Sequence, residues 1–149
     1  GELAWKTYEE MLSRQHFFIP RAQEMLEYLK DRFDLYIVSN GTASVQDRRI
    51  EGANLEKYFK KIFISQRVGV NKPDVRFFER CFNEIDNFKK QETIIIGDSL
   101  SSDIQGGINA GITTCWYNPK GTQAPDDMKI DYIIGDLGNL YGADNILEG

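Results

Sequence analysis

The chain has little histidine or cysteine, no excess of basic residues and no long apolar run. Each lack closes a class of function. His16 is the single histidine, set in Arg14-Gln15-His16-Phe17-Phe18 with no catalytic partner beside it. A serine or cysteine hydrolase built on an imidazole base therefore has no support. The two cysteines, Cys81 and Cys115, lack metal-ligand spacing. They read as packed, reduced thiols of a cytoplasmic protein. A net charge of −5 argues against a nucleic-acid polymer as partner, because such surfaces need a basic footprint. No apolar run approaches a membrane span. The N-terminal stretch Gly1 to Glu10 is polar and acidic, with no visible signal peptide. There is no internal repeat and no low-complexity segment.

What is present is an ordinary globular composition over 149 residues, enough for one domain with a proper core. Strand patterns alternate with helix patterns. Glu2 to Arg14 reads as a helix, with Trp5, Tyr8 and Leu12 on one face. Pro20 is placed to open a second helix, in which Ala22, Met25, Leu26 and Leu29 form an apolar stripe. Its outer face, Arg21, Glu24, Glu27 and Lys30, reads as solvated charge. Asp34 to Val38 reads as a strand. Thr42 is a candidate cap for a helix from Ala43 to about Gly52. Ile62 to Ile64 is a short strand. A turn-rich loop, Val68 to Asp74, feeds a helix with Phe78, Cys81, Phe82 and Ile85 on one face. Pro73 is expected near the first position of that helix and Asp74 near its positive end. Ile94-Ile95-Ile96 is a fully apolar strand, followed by a helix carrying Ile104 and Ile108. In that helix Gly106, Gly107 and Gly111 weaken propensity and suit close packing on a sheet. Ile112 to Tyr117 and Asp131 to Ile134 are further strands, and Leu137 to Tyr141 a last helical turn. This alternation predicts an α/β fold: a Rossmann-like, mainly parallel sheet with helices on both faces.

The chemistry gathers where these strands stop. Ligands bind beyond the carboxyl ends of strands in open α/β sheets. Ser39-Asn40-Gly41 follows the strand Asp34 to Val38, Lys72 lies after the strand at Ile62, and Gly97-Asp98-Ser99 follows the three isoleucines. Asp103 comes five residues later. Asp98 and Asp103 are hard oxygen ligands suited to Mg²⁺. Each residue also has a bland explanation. Asp98 can open a turn, Asp103 can cap a helix, Ser39 can be a turn residue and Lys72 a solvated surface lysine. Together at one sheet edge, a hydroxyl, an ammonium and a metal-holding carboxylate supply what a phosphate dianion requires.

At these residues the sequence resembles the haloacid dehalogenase superfamily of phosphatases, from Phe18 onward. Tyr36-Ile37-Val38-Ser39-Asn40-Gly41 resembles its second motif, Asn71-Lys72-Pro73-Asp74 its third, and Gly97-Asp98-Ser99-Leu100-Ser101-Ser102-Asp103 its fourth. The resemblance implies that Asp98 binds Mg²⁺ and Asp103 supports the metal site. It implies that Ser39 binds the phosphoryl oxygen, with Asn40 and Gly41 beside it, and that Lys72 steadies phosphate and nucleophile. The stretch from Ile94 through Pro119 is similar to the bacterial pyrimidine 5′-nucleotidase branch. That similarity implies a small phosphorylated metabolite, a nucleoside 5′-monophosphate, as substrate. A sugar-phosphate or phosphoglycolate-type phosphatase and a catalytically inactive phosphate-binding fragment are the alternatives. A dehalogenase has no use for the Mg²⁺ site.

The family's first motif, D-x-D after a first strand, supplies the nucleophile, and no D-x-D follows an apolar run here. The expected division is therefore a remnant of a helical cap over residues 1–17 and a phosphatase core over 18–149. The first strand and most of the cap would be absent, leaving two inner strand faces unpaired; the expected outcomes are that the chain closes the gap itself, self-associates through it, or takes the strand from a separate chain.

Overall fold

The computed structural model describes residues 2–6, 22–41 and 56–140. Six strands form one parallel sheet: β1 Glu2–Lys6, β2 Phe33–Ser39, β3 Lys61–Ile64, β4 Thr93–Gly97, β5 Thr113–Tyr117 and β6 Tyr132–Ile134. Their order is β3-β2-β1-β4-β5-β6, the doubly wound arrangement whose direction of winding reverses between β1 and β4. Every pair is parallel.

β2 and β4 are strands because they are almost wholly apolar and buried along their length, as strands covered on both faces must be. Their side chains alternate between two cores. Leu35, Ile37, Ile94 and Ile96 face one cluster, with Met25, Leu26 and Leu29 of α1 (Ala22–Leu29) packed on them. Tyr36, Val38 and Ile95 face the other, against Phe77, Phe78 and Cys81 of α3 (Val75–Phe82). α2 (Ser65–Val68) is a single turn between β3 and the Lys72 loop. α4 (Gln105–Ala110) follows β4 and lies on the same face as α3. Its glycines are spacers. A Cβ on Gly107 would sit 2.6 Å from Ile95 Cγ2, and one on Gly106 2.6 Å from the Phe78 ring.

The N-terminus departs from the sequence reading. Glu2–Lys6, expected to start a helix, is the central strand. Leu3 pairs with Asp34 on one side and Thr93 on the other. The slot lets this segment pair with β2 on one side and β4 on the other, and filling it outweighs the local helical pattern of a short segment. The faces of β2 and β4 expected to stand open are thus paired within the chain, which removes the ground for self-association through them. The rest of the expected N-terminal helix and the helix at Ala43 lie outside the described residues. Other boundaries shift slightly. Asp74, not Pro73, adjoins the first turn of α3, and its carboxylate caps it by accepting from Arg76 N at 2.9 Å. The last turn is Leu137–Leu140.

Candidate functional site

Ser39 ends β2 and Asp98 follows β4, so the two flank β1 at the carboxyl edge. This is the place where the winding reverses and a crevice opens. Ser39 is fully buried, and among the described residues its Oγ finds no hydrogen-bond partner. A buried hydroxyl without a partner costs free energy unless something else fills that role.

Lys72 comes to the end of β2 from the next loop. Its Nζ donates to Val38 O at 3.1 Å and to Asp103 Oδ1 at 2.7 Å. Both side chains of the Lys72–Asp103 pair are 0% exposed, so this is no surface lysine. Ammonium and carboxylate each make the other's burial tolerable. The other oxygen of Asp103 accepts from Ser99 N at 3.3 Å.

Asp103 therefore does not cap the helix. Ser99 does, accepting from Ser102 N at 3.2 Å. A wide π-type turn, Leu100–Ile104, swings Asp103 back toward the strand end. Gly97 makes that approach possible, because a Cβ there would lie 2.3 Å from Asp103 Oδ2.

The surrounding loops are held by side chains. Asn40 Oδ1 accepts from Lys72 N at 2.8 Å, and Asn40 Nδ2 donates to Lys72 O at 3.0 Å. Gly41 N donates to Ser65 Oγ at 3.0 Å. Asn109 Nδ2 donates to Pro73 O at 3.0 Å. Trp116 Nε1 donates to the backbone carbonyl of Asp98 at 3.1 Å.

Thus Ser39 and Lys72 converge, Asp103 joins them through Lys72, and Asp98 lies across β1. Asn40 and Gly41 are engaged in holding loops. Sequence reasoning missed Ser65, Asn109 and Trp116. Asn109 and Trp116 fall within the stretch from Ile94 through Pro119, but nothing there marks their contacts; in the sheet Trp116 is in register with Gly97. Burial drives the Cys81 thiol well above its ordinary range, so that sulfur is not a thiolate nucleophile.

The donor set suits Mg²⁺, an ion that keeps several waters and takes one or two carboxylates. Asp98 offers hard oxygen at the strand end. Asp103 has one oxygen on Lys72 and the other on the Ser99 amide, which suits it to supporting the site. Among the described residues no group of three or more potential side-chain ligands gathers.

Residues 2–117 match the haloacid dehalogenase-like hydrolases. The chain is 41% identical over 153 residues to the pyrimidine 5′-nucleotidase PynA of Streptococcus pneumoniae, covering 99% of this chain and 64% of that protein. It is 32% identical over 122 residues to the pyrimidine 5′-nucleotidase YjjG of Escherichia coli, covering 82% and 54%. The crystal structure of Bacillus subtilis YfnB bound to magnesium superposes with a TM-score of 0.84 at 39% identity, over 93% of this chain and 61% of that one. The chain thus spans less than two thirds of the length of these relatives. With most of its residues under the family match and its polar groups gathered where the sheet reverses, the chain belongs to the haloacid dehalogenase-like hydrolase family.

Proposed function

We propose that this chain is the larger part of a Mg²⁺-dependent phosphomonoesterase that acts on nucleoside 5′-monophosphates. The observation that carries the reading is the fully buried Lys72–Asp103 pair, fastened to the carbonyl just before Ser39 at the end of β2. A cation held in place and an uncommitted donor suit a phosphoryl group whose charge moves during reaction. The relatives named as pyrimidine 5′-nucleotidases support the substrate class.

In this reading Ser39 donates to a phosphoryl oxygen, and Lys72 neutralises charge on the phosphate and the attacking carboxylate. Asp98, with Asp103 in support, would hold Mg²⁺, which supplies further charge neutralisation. Asp103 holds the Lys72 ammonium in place through its Oδ1. The attacking group is an aspartate from a segment outside this chain, forming an aspartyl-phosphate that water hydrolyses. Residues 18–149 are the core and 1–17 belong to a helical cap in the intact protein. β1 then stands in the slot that the nucleophile-bearing strand takes there. The setting is cytoplasmic, for which the two buried thiols speak.

The test is phosphate release by the intact protein from nucleoside monophosphates, sugar phosphates and phosphoglycolate, with Mg²⁺ and with chelator. Mg²⁺-dependent release from a nucleoside monophosphate supports the reading. Preference for a sugar phosphate or phosphoglycolate moves it to that class. Phosphate bound but never released makes it a binding module.

A further inference from the structure

We infer that Asn40 is a positioning residue that sets Lys72 against Ser39, rather than a group that touches the substrate. The inference rests on the phosphate-binding reading of Ser39 and Lys72 and deepens it. Both polar atoms of the Asn40 amide are directed at the backbone of one residue. Oδ1 accepts from Lys72 N at 2.8 Å and Nδ2 donates to Lys72 O at 3.0 Å. This reciprocal pair copies a rung of a sheet ladder with a side chain. It joins segments 32 residues apart in sequence.

Asn40 is also covalently next to Ser39. The amide therefore links the residue carrying the hydroxyl to the residue carrying the ammonium. Two further contacts stop the linked loops from moving together. Gly41 N on Ser65 Oγ holds the Ser39 side, and Asn109 Nδ2 on Pro73 O holds the Lys72 side. Lys72 Nζ, in turn, meets Val38 O, the carbonyl just before Ser39. Backbone and side chain of Lys72 are thus both fastened to the end of β2. Without the amide, Lys72 N–H and C=O lose these two hydrogen bonds, and the loop that carries the ammonium loses a tie to the end of β2.

The experiment uses this chain and inorganic phosphate. Phosphate affinity is measured by calorimetry, Lys72 amide exchange by NMR, and the thermal midpoint alongside, for the parent, Asn40→Ala and Ser39→Ala. The expected result is that Ser39→Ala weakens binding. Asn40→Ala should weaken it about tenfold, the size of one well-made hydrogen bond. It should also release Lys72 N–H to fast exchange. Weaker binding by Asn40→Ala with Lys72 N–H still protected would place Asn40 on the anion itself and overturn the inference. So would unchanged binding by Asn40→Ala while Ser39→Ala loses it. If the parent binds no phosphate, or Ser39→Ala binds like the parent, the phosphate-site reading falls and this inference with it. Asn40→Ser, a milder truncation, is read by the same outcomes if Asn40→Ala does not fold.

Discussion

Asp103 and Gly97 show how one missing methyl group places a charge. The carboxylate nests where any Cβ on residue 97 would lie 2.3 Å from its Oδ2. Gly97→Ala must push Asp103 off, and with it the partner of a buried ammonium. We expect a loss of about 1–3 kcal/mol from overpacking alone, read as a lower urea midpoint, together with loss of phosphate binding. Unchanged phosphate affinity would show that Lys72 keeps its place without Asp103. Asp74 offers a cleaner electrostatic case at the surface. Arg76 holds its carboxyl down to about 2, first through its guanidinium and then through its backbone N–H. A carboxyl lowered on folding stabilises the fold fully above its ordinary value of 3.8, and the gain disappears as pH falls through about 2. Asp74→Asn keeps a capping side chain and removes the charge. Its urea midpoint should fall below the parent's near neutrality, and the difference should close on acidification through that window. A difference that persists in acid would mean the cap, not the charge, carries the effect.

Elements made of long apolar runs were legible in the sequence. Ile94 to Ile96 had no other way to be satisfied than a central strand, and the Met25, Leu26 and Leu29 stripe fixed α1. Gly106 and Gly107 also announced themselves, as glycines too costly for a helix unless packing required them. Gly107→Ala should drive a methyl group into Ile95 and Thr114, 2.6 and 2.7 Å away. We expect a cost of about 1–3 kcal/mol in denaturant unfolding, and a neutral result would show that α4 can lift from the sheet. β1 was not legible. Trp5 carries a helical spacing with Tyr8 and Leu12, and the short run Leu3-Ala4-Trp5 fits a helix as well as a strand. Its conformation is set by two neighbours far away in sequence, information that a local window does not hold. The loop clamps were hidden for the same reason. Nothing around Asn40 reveals that its amide meets Lys72.

At the scale of the molecule, the site exists because the sheet winds both ways from its centre. Ser39 and Lys72 come from one side of β1 and Asp98 and Asp103 from the other. The three motifs were legible because each ends a recognisable strand, and only the topology could say that they meet. What the chain does not carry is a D-x-D strand end. We expect the 149-residue chain to show no turnover of a generic phosphate ester in Mg²⁺. A Mg²⁺-dependent rate abolished by Asp98→Asn would sink that expectation.

β1 has one more consequence. In the strand order, β2 and β4 share no ladder with each other, and each is bonded to β1. The sheet is two blocks, β3-β2 and β4-β5-β6, sewn along a five-residue seam. If that seam opens, each block keeps its own internal bonds. The hydroxyl and the carboxylate then part company, and the two cores that α1 and α3 form across β2 and β4 part with them.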